Sequence, residues 1–77
     1  MSAIADDTPT DPCPLSEGDA FLEGDSRLTI LAIFESDERW FVRVESEHPR
    51  LGLARYVMSR ADARRRVRAG RWSRLDC

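Results

Sequence analysis

Seventy-seven residues leave room for one domain, and a chain this short buries only about 60–65% of its unfolded surface, so its core is thin. A hydrophobic fraction of 42% at a net charge of −2 excludes a disordered chain. No apolar run approaches the roughly 18 residues of a membrane span or forms a signal-peptide core behind basic residues, so a soluble, cytoplasmic protein without a membrane partner is expected.

Residues 1–14 carry Asp6, Asp7, Pro9, Asp11, Pro12 and Pro14 with little apolar content, the composition of a disordered acidic tail ahead of one β-rich domain over 15–77. Two local readings compete at Leu15-Ser16-Glu17-Gly18-Asp19. Ser16 can cap a short helix with Asp19 at its third position, or Gly18-Asp19 can turn into a strand at Ala20-Phe21-Leu22. The strand is preferred, because Gly18 weakens a one-turn helix and Glu23-Gly24-Asp25-Ser26 makes a good tight turn.

The clearest strand covers 27–35, where Leu28, Ile30, Ala32 and Phe34 alternate with Thr29, Leu31, Ile33 and Glu35. Both sets are apolar over their middle, so this strand is expected at the centre of the sheet with both faces covered. Ser36-Asp37-Glu38 turns the chain into a hairpin partner over 39–45, with Trp40, Val42 and Val44 facing the core and Phe41, Arg43 and Glu45 facing away. A loop follows over 46–50 around Pro49, then a fourth strand over 51–58 with Ala54, Tyr56 and Met58 on one face and Leu53, Arg55 and Val57 on the other.

Ser59 caps a helix over 60–69, with Asp62 three residues on and Gly70 as a left-handed stop. About ten residues do not hold a helix alone, so Ala63 and Val67, four apart, must dock it on the sheet. A closing strand over 71–75 brings Trp72 under the helix, and the core is expected around Ile30, Phe34, Trp40, Val44 and Trp72. The order of elements indicates a mostly β fold with one short C-terminal helix, a small SH3-like, partly open antiparallel barrel of four or five strands. The alternative is an α+β sheet with the helix on one face.

Charge is segregated along the chain. Residues 1–38 hold ten acids and one Arg, net −9, whereas 39–77 hold four acids and eleven Arg, net +7. The two halves either form separate acidic and basic surfaces or pair across strands. All twelve cations are Arg, and Lys, Asn and Gln are missing. Lys and Asn codons are AT-rich, so a high-GC genome accounts for this without any choice of Arg for phosphate recognition.

Two surfaces are candidates for binding. Phe41 beside Arg43 points away from the core if Trp40 points in, and aromatic and Arg residues dominate protein-binding hot spots. The ordinary alternative buries Phe41 under the N-terminal segment. The carboxylates Asp19, Glu23 and Asp25, with Glu17, cluster near a turn without the spacing of a Ca²⁺ loop. They form either a solvated edge or a face for a basic partner. The second surface is the Arg-rich helix. Arg64, Arg65 and Arg68 share its outward stripe, and Arg60, Arg71 and Arg74 extend a patch able to grip phosphates. Its ordinary reading is a solvated face paired with the acidic half, and a pI near 5.3 counts against a dedicated nucleic-acid module.

Nothing in the sequence assembles catalysis, a metal site or a cofactor site. His48, the only histidine, lies between Glu47 and Pro49 without a nucleophile motif nearby. Cys13 and Cys77 sit near opposite ends, neither a CxxC nor a zinc pattern. The expectation is therefore a non-enzymatic regulator or inhibitor that covers a surface on a larger protein or complex through Phe41, Arg43, Asp19, Glu23 and Asp25, with no small-molecule substrate. Stand-alone chains of this size are frequent in phages and mobile elements, where anti-CRISPR inhibitors of host defence are one example. The alternative is a nucleic-acid-binding module using Arg60, Arg64, Arg65, Arg68 and Arg71.

Overall fold

The structure, a computed structural model, describes residues 14–75. The acidic tail expected over 1–14 therefore lies almost wholly outside the described residues, as do both cysteines. Five strands and one helix follow in order: β1 (Ala20–Glu23), β2 (Ser26–Ser36), β3 (Arg39–His48), β4 (Gly52–Ser59), α1 (Arg60–Arg68) and β5 (Ser73–Arg74). The strands make one antiparallel sheet in the order β4-β3-β2-β1-β5, so β4 and β5 end on opposite edges and the sheet stays open. The fold is mostly β with one short helix, as the pattern of elements indicates. No helix among the described residues is long and apolar enough to cross a membrane.

Two tight turns set the register of the meander. Between β1 and β2, Glu23 faces Ser26 across a two-residue loop with Gly24 at φ +60° and Asp25 in ordinary backbone, the pattern of a type II′ hairpin. Between β2 and β3, Ser36 faces Arg39 across Asp37 and Glu38, both at positive φ (53° and 63°). That is the type I′ pattern, whose twist matches the strands even though neither residue is glycine.

β2 contains a bulge between Ile30 and Ala32, where Leu31 is extra: Ile30 pairs Val44 and Ala32 pairs the adjacent Arg43. This one residue inverts the alternation beyond it. Leu28 and Ile30 face the core with Ile33, whereas Ala32 and Phe34 face the opposite side. The expected face Leu28, Ile30, Ala32, Phe34 is therefore split, and Phe34 is not in the core. Trp40 leaves the core for a different reason. It keeps the phase of Val42 and Val44, but it pairs Glu35 beyond the end of β4, where no third strand flanks it, and is 42% exposed.

The core consists of Leu15, Phe21, Leu28, Ile30, Val42, Val44, Ala63 and Trp72, with Ile33, Tyr56, Met58 and Val67 packed against it. Trp72 is 1% exposed and its ring lies 5.5 Å from that of Phe21. Its Nε1–H has no acceptor among the described residues. Ser59 Oγ accepts from Asp62 N at 3.1 Å to open α1. At the other end Gly70 at φ +80° lets Gly70 N reach Val67 O and Arg71 N reach Arg66 O, the paired bonds of a Schellman stop. Ala63 is fully buried and Val67 packs beside it, so the helix docks through the pair expected.

Most element ends shift by one residue from the sequence reading, and two strands differ by more. β3 runs on to His48 because Ser46, Glu47 and His48 each find a β4 partner in Ala54, Leu53 and Gly52, which shortens the expected loop over 46–50. His48 Nδ1 then accepts from Arg50 N (3.0 Å) and Leu51 N (3.1 Å), closing the turn into β4. β5 is only two residues long, Ser73 and Arg74 against Leu22 and Phe21, because Arg71 N and Trp72 N are still bonded to Arg66 O at the end of α1; one more bond from Leu75 N to Ala20 O extends the contact.

Candidate functional site

α1 covers one face of the sheet, and β2, expected to be covered on both sides, is covered on one. Antiparallel partners share a face, so the register builds the other surface row by row. Phe34 lies beside Phe41, then Ala32 beside Arg43 and Val57, then Thr29 beside Glu45 and Arg55, then Arg27 beside Glu47 and Leu53. The first two rows are apolar around one cation. The Phe34 and Phe41 rings stack at 5.8 Å with 27° between planes, and the Arg43 guanidinium lies over Phe34 at 5.5 Å. Val57 is 49% exposed and Leu53 56%. A shallow hollow of about 330 Å³ opens among Arg43, Arg55, Tyr56 and Val57.

The last two rows carry charges of both signs. Arg55 Nε donates to Glu45 Oε2 at 3.0 Å, and Arg27 stands opposite Glu47. Arg43 sits in the apolar rows, and among the described residues no carboxylate forms an ion pair with it. Phe41 and Arg43 thus lie together on the open face, as the alternation of β3 indicates. Phe34 and Val57 join them, and the sequence reading offered neither as a contact residue. The run Ile30-Leu31-Ala32-Ile33-Phe34 fits either phase equally well, so no sequence signal located Phe34.

The acidic candidates are not on this face as a group. Asp19 Oδ2 accepts from Ser16 N and from Arg74 Nη1, each at 2.9 Å, with both charged side chains largely shielded. Glu23 lies 3.8 Å from Arg71, and Asp25 is exposed in the β1–β2 turn. The acidic and basic halves of the chain therefore meet at Asp19–Arg74 and Glu23–Arg71. Glu17, grouped in sequence with those carboxylates, instead accepts from Ile33 N at 2.9 Å and satisfies the edge of β2 just past the bulge.

The Arg patch divides in two. Arg60 and Arg64 share a cleft of about 300 Å³ with Arg39, Trp40, Ser59 and Ala61, and the Arg60 guanidinium lies over the Trp40 ring at 4.8 Å. Arg65 and Arg71 line a second hollow with Asp62, Arg66 and Ala69, where Arg65 pairs Asp62 at 2.9 Å and Arg71 pairs Glu23. Arg68 is exposed on the last turn of α1. Beneath the helix, burial first and the charge of Glu23 second push the Tyr56 hydroxyl above its ordinary range, with Arg66 opposing. Among the described residues no three His, Cys, Asp or Glu side chains cluster as metal ligands.

No family model, curated protein or solved structure matches the chain.

Proposed function

We propose that this protein is a non-enzymatic binding module that regulates a larger protein by occupying its surface through the open sheet face. The observation that carries this reading is the cluster Phe34, Phe41, Arg43 and Val57 on the side of the sheet that α1 leaves bare. Stacked aromatics, a β-branched residue and an Arg are the side chains that supply binding energy when water is excluded around them. A module seated there blocks whatever its partner does at that surface, which is how a chain without catalytic residues inhibits.

The chemistry of the partner follows from the charges on the face. Arg55 pairs with Glu45, and Arg27 and Glu47 share a row in which their charges cancel, so Arg43 is the one charged group of the two apolar rows. The complementary surface is apolar with a carboxylate opposite Arg43. A second copy of the chain fits less well, because a two-fold contact centred on the cluster brings Arg43 against itself. From Phe41 to Glu47 the face runs about 20 Å along the strand, so it is smaller than a standard interface of about 800 Å² per partner, and modest affinity is expected.

The test is a binding measurement on a purified partner first captured by the protein and identified. Arg43→Glu and Phe41→Ala each weaken that binding at least ten-fold, and placing Arg at the opposing partner carboxylate restores binding to Arg43→Glu. Undiminished binding by both variants refutes the reading. So does a stable dimer in solution that the same two variants dissociate.

A further inference from the structure

We infer that the cleft at the start of α1 binds a nucleotide unit, its ring stacked on Trp40 and its phosphate held by Arg39, Arg60 and Arg64. Trp40 is a large apolar ring on the core side of β3 that the core does not use. It overhangs the end of β4, with Phe41 paired to Ser59 as the last rung below it, and presents 42% of its surface to solvent. Its neighbours in the cleft are three guanidinium groups, Ser59 and Ala61, with no carboxylate in the lining. The acid nearest in register is Glu35, across the ladder on β2.

The Arg60 guanidinium already lies over the indole at 4.8 Å, which places one cation at the ring, and Arg39 and Arg64 line the same cleft. An exposed indole among positioned guanidinium groups is the arrangement that recognises a planar ring carrying a phosphate, because stacking and charge then act on one ligand. At about 300 Å³ the cleft lies at the lower limit of ligand sites and suits a single ring. Arg68 lies four residues beyond Arg64, one helical turn and about 6 Å further along α1, and continues the positive track past the cleft. That continuation favours an unpaired nucleic-acid strand over a free nucleotide as the source of the unit. The cleft and the Phe34–Phe41 cluster use opposite faces of the sheet, so this site stands or falls independently of the protein-binding face.

Tryptophan fluorescence tests the inference directly. The chain has two Trp residues, and Trp72 is shielded in the core, so quenching by an added ligand reports Trp40. The probes are an eight-residue single-stranded oligothymidylate, thymidine monophosphate, inorganic phosphate and a phosphotyrosine peptide, each titrated at low salt. The oligonucleotide is expected to quench, with thymidine monophosphate weaker by at least ten-fold; the reverse order assigns the site to free nucleotides and keeps the nucleotide unit. Measured by anisotropy of a labelled oligonucleotide, Trp40→Ala weakens binding at least five-fold. Arg64→Ala lowers the slope of log K against log salt by about one, and serves as the decisive variant if Trp40→Ala does not fold. Four results overturn the inference: no quenching by either nucleotide probe, equal binding of inorganic phosphate, a preference for the phosphotyrosine peptide, or an unchanged salt slope in Arg64→Ala.

Discussion

On the face beneath α1, Ile30, Val42 and Val44 are fully buried, whereas on the opposite face of the same sheet Phe34 and Phe41 are half covered and Val57 meets solvent. The side chains are of the same kind, β-branched and aromatic residues at strand spacing. What separates the faces is the cover: one helix, Leu15 and Trp72 close the first, and nothing among the described residues packs over the second. An apolar strand face is therefore a core only if the chain also supplies a lid for it. With nine helical residues to spend, this chain lids one side.

Stability measurements offer the hardest test of that contrast. Trp72→Ala removes the largest buried side chain and is expected to cost about 3–5 kcal/mol, a large share of the roughly 5–15 kcal/mol that holds a small domain. Phe41→Ala is expected to cost less, about 1–2 kcal/mol, since the side chain is half-buried and loses its stacking on Phe34. Urea unfolding followed by far-UV circular dichroism measures both, and equal losses would mean that the second face is lidded after all.

A smaller effect separates the two kinds of ion pair. Asp19 and Arg74 are largely shielded, and Arg74 also lies over the Phe21 ring at 5.1 Å, so the pair ties the entry of β1 to β5 at the edge of the core. Asp19→Ala is expected to cost about 1–3 kcal/mol by removing the carboxylate to which both Arg74 Nη1 and Ser16 N donate. Removing Glu45, whose Arg55 partner is mostly exposed on the open face, should cost at most about 1 kcal/mol. Double-mutant cycles on the two pairs rank them.

The turn that delivers both faces can be improved. Glu38 sits at φ 63°, a conformation that costs an L-residue about 1–2 kcal/mol and glycine almost nothing. Glu38→Gly should therefore raise stability by about 1 kcal/mol, read as a higher urea midpoint at unchanged slope. An unchanged midpoint would mean that the strain is relieved elsewhere.

The gentlest probe is Tyr56, the one tyrosine of the chain, which packs against the covered face. Its folded pKa is raised from 10.0 by burial and then by Glu23. The folded state thus holds the phenolic proton more tightly than the unfolded state. That contribution to stability is full below pH 10.0 and is lost as pH rises through the folded value. Absorbance of the phenolate near 295 nm should appear above the unfolded value, and a Tyr56 that titrates normally would place it outside the packed face.

Much of the fold was legible in the sequence because its signals are local. Alternation marked β2, β3 and β4, Gly24 and the Asp37-Glu38 pair marked the turns, and Ser59 with Gly70 bracketed the helix. The two faces of β4, Ala54, Tyr56 and Met58 against Leu53, Arg55 and Val57, followed from period two alone, as did Phe41 and Arg43 facing away from Val42 and Val44; which face of β4 turns inward did not, and Ala54 on the inner one is exposed. The placement of Phe34 did not follow, because a bulge adds one residue without changing composition and Leu31 in an apolar run gives no local sign of being extra.

By itself, then, the sequence determined the elements, their order and which residues of the regular strands share a face, since these depend on neighbours within a few positions. Only the tertiary structure decided which face is lidded, that Trp40 overhangs the core among Arg39, Arg60 and Arg64, and that Asp19 and Glu23 are turned to Arg74 and Arg71. Those outcomes depend on where a short helix lands and how far each strand outruns its partner, distances in space that no window of residues encodes.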